Sequence, residues 1–251
     1  MIRALVALGL AVAASPAPAA PRLVAELSQS RIDISYRFAG AELLVFGAIQ
    51  GGSAGPPPGL AVVVRGPTEP VTVRRRERVL GIWVNRRAVR FESVPGYYAV
   101  ATTAPVEALL DERNAAIHEI GLDFLQLSPA GYVDPDEARQ FQAGLVDLRR
   151  EAGLYVEQPY GVRLTADVLF RARIPMPSAV PVGEYLAEVF LISDGRVRAK
   201  ATAPILVEKS GFERSIFLFA HRHGLAYGLG SVGLAVLAGL AGGLLGVRRP
   251  A

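Results

Sequence analysis

Chemistry at a protein site needs a nucleophile, a base or a set of metal ligands, and this sequence brings few of these together. Gly51-Gly52-Ser53-Ala54-Gly55 has the G-x-S-x-G spacing of a nucleophile elbow and follows a strand-like run. An elbow needs a helix directly after the serine, to hold the hydroxyl at the top of a parallel sheet. Pro56-Pro57-Pro58 follows instead, so the segment reads as a loop. A hydrolase built on Ser53 is therefore only a third reading. The only histidines are His118, His221 and His223. On a strand the last two would share a face; on a helix they point roughly opposite ways. No third metal ligand lies near them. Gly228-Leu229-Gly230-Ser231-Val232-Gly233 spells G-x-G-x-x-G, but a dinucleotide site also needs a preceding strand and a later acidic residue. Cysteine is absent, which removes disulfides, thiolate metal sites and a cysteine nucleophile. No catalytic residue, metal or cofactor is assigned, and the expected class is non-enzymatic.

Two groups of residues suit binding better. The densest charge is Arg74-Arg75-Arg76-Glu77-Arg78, followed by Arg86, Arg87 and Arg90 around Trp83. Guanidinium groups match carboxylate and phosphate, so Arg74, Arg75, Arg76, Trp83, Arg86 and Arg87 form a candidate anion or partner face. The alternative is a solvated strand face. The second group is Ser231, Ala235, Gly239 and Gly243, small residues every fourth position, with a parallel row at Ala238, Gly242 and Gly246. Such rows let helix backbones approach closely inside a membrane. They form a candidate helix–helix contact, and a homo-oligomer could assemble through it. The net charge of +4 and the lack of a long basic run argue against a nucleic-acid partner.

The elements that would position these residues are mainly strands. Arg31 to Phe38 alternates apolar and polar residues strictly, and Glu42 to Ile49 is more continuously apolar, as for a strand buried on both sides. Short strands are also expected at 60–65, 71–75, 79–84, 88–92 and 97–103. Pro105 opens a helical segment to about Gln126. A second helix starts at Asp134, a side chain that can cap it, with Pro135 at its first position. Phe141, Leu145 and Leu148 form its buried stripe, and Gly153 stops it. Gly161 to Ile174 alternates for more than a dozen residues. The strands 184–192 and 196–207 flank Asp194-Gly195, a dipeptide suited to a type I′ turn. Pro204 argues for a sheet edge there. Two glycine-then-tyrosine strand starts, at Gly96-Tyr97 and Gly183-Glu184-Tyr185, suggest the tyrosine corner of Ig-like sandwiches. The expected fold is mainly β: an Ig-like sandwich with an α-helical insertion, plus one C-terminal transmembrane helix.

The two ends would fix the topology. Arg3, the apolar stretch Ala4 to Ala14 and Ala17-Pro18-Ala19 read as a signal peptide over 1–20. Leu225 to Val247 is an uncharged run of 23 residues. At ~1.5 Å per residue it would cross a ~30 Å hydrocarbon layer. The expected parts are an N-terminal β part over 21–104, a helical insertion over 105–153 and a C-terminal β part over 154–210. A juxtamembrane helix over 211–224, the span over 225–247 and a cytoplasmic tail over 248–251 complete the chain. The expected location is a bacterial inner membrane, single-pass, with the main domain in the periplasm.

One ordered set of motifs carries a resemblance. It runs Leu27-Ser28, Ile32-x-Ile34, Phe38-x-Gly40-x-Glu42-Leu43, Val45-Phe46-Gly47-Ala48, Val64-Arg65-Gly66-Pro67 and Gly81-Ile82-Trp83-Val84-Asn85. It continues with Leu169-Phe170-Arg171-Ala172, Pro181-Val182-Gly183-x-Tyr185 and Tyr227-Gly228-Leu229. In these the chain resembles an uncharacterised family of alphaproteobacterial proteins predicted to be transmembrane. The resemblance implies a membrane protein of unknown activity and transfers no catalytic or binding residue. The expected function is an accessory or scaffolding subunit of an inner-membrane complex, in contact with the lipid bilayer and a membrane or periplasmic protein partner. The alternative is a periplasmic anion or small-ligand binding module serving a transporter.

Overall fold

Apolar residues at every second position build most of this molecule. The computed structural model describes residues 22–34, 40–51, 57–79, 81–209 and 219–246. The expected signal peptide, Ser53, the cytoplasmic tail and most of the 211–224 helix lie outside them. Strands β1 (Arg22–Leu27), β2 (Arg31–Ile34), β3 (Ala41–Gln50), β4 (Gly59–Arg65), β5 (Thr68–Val79), β6 (Ile82–Pro95) and β7 (Tyr98–Thr102) come first. Helices α1 (Val106–Leu109), α2 (Glu112–His118) and α3 (Pro135–Glu151) follow. Strands β8 (Tyr155–Gln158), β9 (Val162–Thr165), β10 (Leu169–Met176), β11 (Gly183–Ser193) and β12 (Arg196–Lys209) precede a last helix, α4 (Gly224–Gly246).

The strands form a four-stranded sheet in the order β1-β3-β10-β9, a six-stranded sheet in the order β2-β12-β11-β4-β7-β8, and the two-stranded β5–β6 arm. In the first sheet Leu43, Val45, Phe170, Ala172 and Ile174 point to the core, while Arg171 and Arg173 alternate outward. β4 is buried from Leu60 to Val64 because both its faces are covered. The four-stranded sheet packs on one face. On the other, Arg65 and Tyr98 bond to backbone carbonyls of Glu119 and His118, and Phe190 packs on the His118 ring at 5.4 Å. The helical insertion thus caps the six-stranded sheet.

Several expectations change in detail. The segment from Pro105 is not one helix. Asp111 caps α2 by accepting from the Asn114 N–H at 2.7 Å, and Glu119 ends α2 in a left-handed conformation at φ 50°. The run 161–174 is two strands, β9 and β10, because Ala166 and Asp167 both turn to positive φ. β3 buries only one side: Phe46 is 40% exposed while Leu43 and Val45 are buried. In α3 the Asp134 carboxylate accepts from the Asp136 and Glu137 N–H groups, as a capping aspartate should. Leu148, however, faces out, and Val146 is buried instead. Pro204 sits where β12 has no outer neighbour, since β2 pairs only with Leu206 to Lys209.

The tyrosines divide. Tyr185 donates to the Pro181 carbonyl four residues back at 2.6 Å, the bond of a tyrosine corner, while Tyr97 reaches across to the Pro175 carbonyl at 2.5 Å. Their rings meet at 5.9 Å. Burial pushes both phenols well above their ordinary pKa, and that of Tyr155 up to about 12. The pairing departs from an Ig-like sandwich, because β2–β12 and β7–β8 are parallel.

The C-terminal reading is corrected most. Among the described residues no helix is long and apolar enough to cross a membrane. α4 is helical over Gly224–Gly246, and its described side chains are exposed. Gly224, Gly228, Gly230, Gly233 and Gly239, with Tyr227 and Ser231, dilute its apolar side chains. The transmembrane helix, the single-pass inner-membrane location and the bilayer as partner are therefore withdrawn. So are the subunit of an inner-membrane complex and the module serving a transporter. The contact row Ser231, Ala235, Gly239, Gly243 loses its membrane setting. Ser231 donates to the Tyr227 carbonyl at 2.8 Å within the helix, Gly239 has open space around it, and the surroundings of Gly243 lie outside the described residues. Oligomerisation through a membrane helix has no support.

Candidate functional site

The β5–β6 arm carries all six residues of the candidate anion face. Its strands pair antiparallel from Thr68↔Pro95 to Val79↔Ile82, so 79 and 82 close a tight turn with Gly81 at φ 87°. Only glycine takes that conformation without strain. The register shifts between Arg75↔Arg87 and Arg76↔Asn85, which leaves Arg86 as the extra residue of a bulge.

This register separates the arginines. Alternation along β5 puts Arg74, Arg76 and Arg78 on one face, opposite Ala88, Asn85 and Trp83, with Arg90 across from Thr72. Val73, Arg75 and Glu77 take the other face, with Val89, Arg87 and Val84. That second face lies on α3. Both Glu137 carboxylate oxygens accept from Arg87 Nη1, at 2.7 and 2.8 Å, and this pairing holds the Arg87 guanidinium above its ordinary pKa. Arg75 donates to Gln140 Oε1 at 3.3 Å and stands 5.6 Å from the Phe141 ring centre. Arg149 of α3 reaches Glu69 Oε1 at 2.6 Å at the base of the arm. Arg86 turns to Glu77 at 3.4 Å. Singly, such exposed pairs contribute ~0–1 kcal/mol each; together they fix the arm against α3.

The outer face is different. Among the described residues, Arg74 and Arg76 have no carboxylate within salt-bridge distance. Arg78 donates only to the Gly81 carbonyl at 3.4 Å, and Arg90 lies 3.5 Å from exposed Glu92. At the tip, Trp83 is 66% and Ile82 69% exposed. The sequence therefore grouped six residues that the structure divides: Arg75, Arg87 and Arg86 are used inside the molecule, while Arg74, Arg76 and Trp83 remain turned outward. Arg78, Ile82 and Val84 belong to the same tip and were not among the six. The turn at Gly81, read with the strand runs on either side, carries that signal.

On the inner side, Val73, Phe141, Leu148 and the Arg75 stem border an open groove of about 360 Å³. Asp147 and Glu151 add acidic groups to it. Among the described residues no group of three or more His, Cys, Asp or Glu is placed to hold a metal ion. His223 packs on Phe219 at 5.5 Å within its own helical segment.

Comparison with curated proteins finds no match. A family profile does match, over residues 22–248, which takes in both sheets, the helical insertion and the arm; its description is Putative transmembrane protein (Alph_Pro_TM). Among the described residues, no helix is long and apolar enough to supply a membrane crossing. The chain belongs to this uncharacterised family by the extent of the match.

Proposed function

We propose that the protein is a non-enzymatic binding module that captures an acidic protein segment on the outer face of the β5–β6 arm. One observation carries this reading: Arg74, Arg76 and Arg78 share a face with Trp83 on an arm whose opposite face is already held by α3. A solvated strand face needs no rigid support and no exposed tryptophan. Trp and Arg are the side chains that most often dominate binding energy at protein interfaces. Carboxylates of a partner would neutralise Arg74 and Arg76, while Trp83 would bury apolar area beside them. Charge complementarity of this kind also speeds encounter and makes binding weaken with salt.

The test is binding of a fluorescently labelled Asp/Glu-rich peptide, followed by anisotropy at rising salt. Reversing two charges, Arg74→Glu with Arg76→Glu, should weaken binding about tenfold or more, ~1.4 kcal/mol. Binding that is equal in wild type and the double variant at every salt concentration would sink the proposal.

A further inference from the structure

A second basic site lies on the four-stranded sheet, away from the arm. Register places Arg171 of β10 directly opposite Arg163 of edge strand β9. Like charges directly opposite on a sheet face destabilise the pair. Arg173, two residues along β10, shares that outward face, as the alternating burial of the strand shows. The three guanidinium groups border an open cavity of about 290 Å³ completed by Gln158, Tyr160 and Gly161. No carboxylate lines it. Arg173 has one contact with an exposed acid, Glu42 at 3.5 Å, and among the described residues no ion pair forms to Arg163 or Arg171.

The rim of this cavity is shaped rather than open loop. Tyr160 is held at φ 64°, a conformation uncommon for a residue with a side chain, and the residue is 69% exposed. Gly161 follows, its N–H donating to the Gln158 carbonyl at 3.0 Å. A Cβ at Gly161 would come within 2.9 Å of that carbonyl and 3.0 Å of Ala101 Cβ, so the turn fits only glycine. Backbone strain of this kind concentrates at binding sites. Here it holds the Tyr160 ring at the mouth of the arginine cluster.

We propose that Arg163, Arg171 and Arg173 bind a phosphate-type oxyanion, with Gln158 and Tyr160 as its neutral hydrogen-bonding neighbours. An anion between Arg163 and Arg171 converts the repulsion across the strands into two attractions. The guanidinium fork is suited to paired oxygens of one phosphate. A cavity near the ~300 Å³ lower end of ligand sites suits a single phosphate with a small substituent. The same chemistry is offered by free phosphate and by a phosphorylated lipid headgroup.

The experiment uses the full chain in two arms. The first follows thermal unfolding with inorganic phosphate against sodium chloride at matched ionic strength. The second follows co-sedimentation with phosphatidylcholine vesicles, with and without phosphatidic acid. Wild type should gain Tm with phosphate beyond the chloride control, or gain retention when phosphatidic acid is present; the first names free phosphate as the source, the second a headgroup. In Arg163→Ala and Arg171→Ala either response should need about tenfold more anion, and Tm without any anion should rise as the repulsion is removed. Arg74→Glu with Arg76→Glu should leave the response unchanged, which separates this site from the arm. Responses equal in wild type and both alanine variants, or matched by chloride, would overturn the proposal.

Discussion

Glu188 is the residue least expected from its neighbours. It sits in the apolar run of β11, and its side chain is only 3% exposed. The carboxylate accepts from Arg65 Nη1 at 2.8 Å and pairs with Lys200 of the adjacent strand. Arg65 in turn donates to the His118 carbonyl at 2.6 Å, which ties the end of α2 to the sheet. Arg65 Nε is buried without a hydrogen-bond partner, and its guanidinium is compensated by Glu188 and, at the longer distance of 3.7 Å, by Glu119. Glu188→Ala should cost ~1–3 kcal/mol, because it leaves the part-buried Arg65 with only the longer Glu119 contact, read from the midpoint of chemical denaturation. Lys200→Ala, whose side chain is 44% exposed, should cost under ~1 kcal/mol. Equal losses in the two variants would contradict this division. No spacing rule joins positions 65, 188 and 200; only strand register does, and so the sequence offered no sign of the triad.

Elements bounded by strong local chemistry were legible. The Asp134 cap, Pro135 and the Asp194-Gly195 turn all act where the sequence puts them, Asp194 and Gly195 both taking positive φ. Elements that depend on partners were not. The arm reads in sequence as separate short strands because its arginines interrupt the apolar pattern, although pairing up to the turn at Gly81 makes it one long hairpin. The Arg163–Arg171 juxtaposition was hidden for a related reason. Unbroken alternation from 161 to 174 reads as one strand, and only the reversal at Ala166 and Asp167 folds it back on itself. Gly47 is a further case: its place in β3 looks ordinary, yet a Cβ there would meet the Val24 carbonyl at 2.0 Å and the Phe170 ring at 2.6 Å. Gly47→Ala should therefore cost ~1–3 kcal/mol by overpacking between β1 and β10. A thermal-unfolding curve unchanged from wild type would show that the sheet accommodates the methyl group.

At the scale of the molecule, β content and the helical insertion followed from composition and periodicity, but sheet order did not. Which strands are central depends on contacts between residues more than a hundred positions apart, such as β4 with β11. The apolar C-terminal run suggested a location, and the described part of α4 does not support it. What remains is a two-sheet body with one helix-braced basic arm projecting from it. The central claim is that the arm's outer face is where a partner sits, and Trp83 reports on it directly because it is the only tryptophan in the chain. Its emission should be that of a water-exposed indole in the free protein and should shift to shorter wavelength when a Glu-rich peptide is titrated in, with loss of the shift in the Arg74→Glu, Arg76→Glu protein. A Trp83 emission that stays unchanged to saturation, while the same peptide still binds, would place the partner elsewhere and contradict the account.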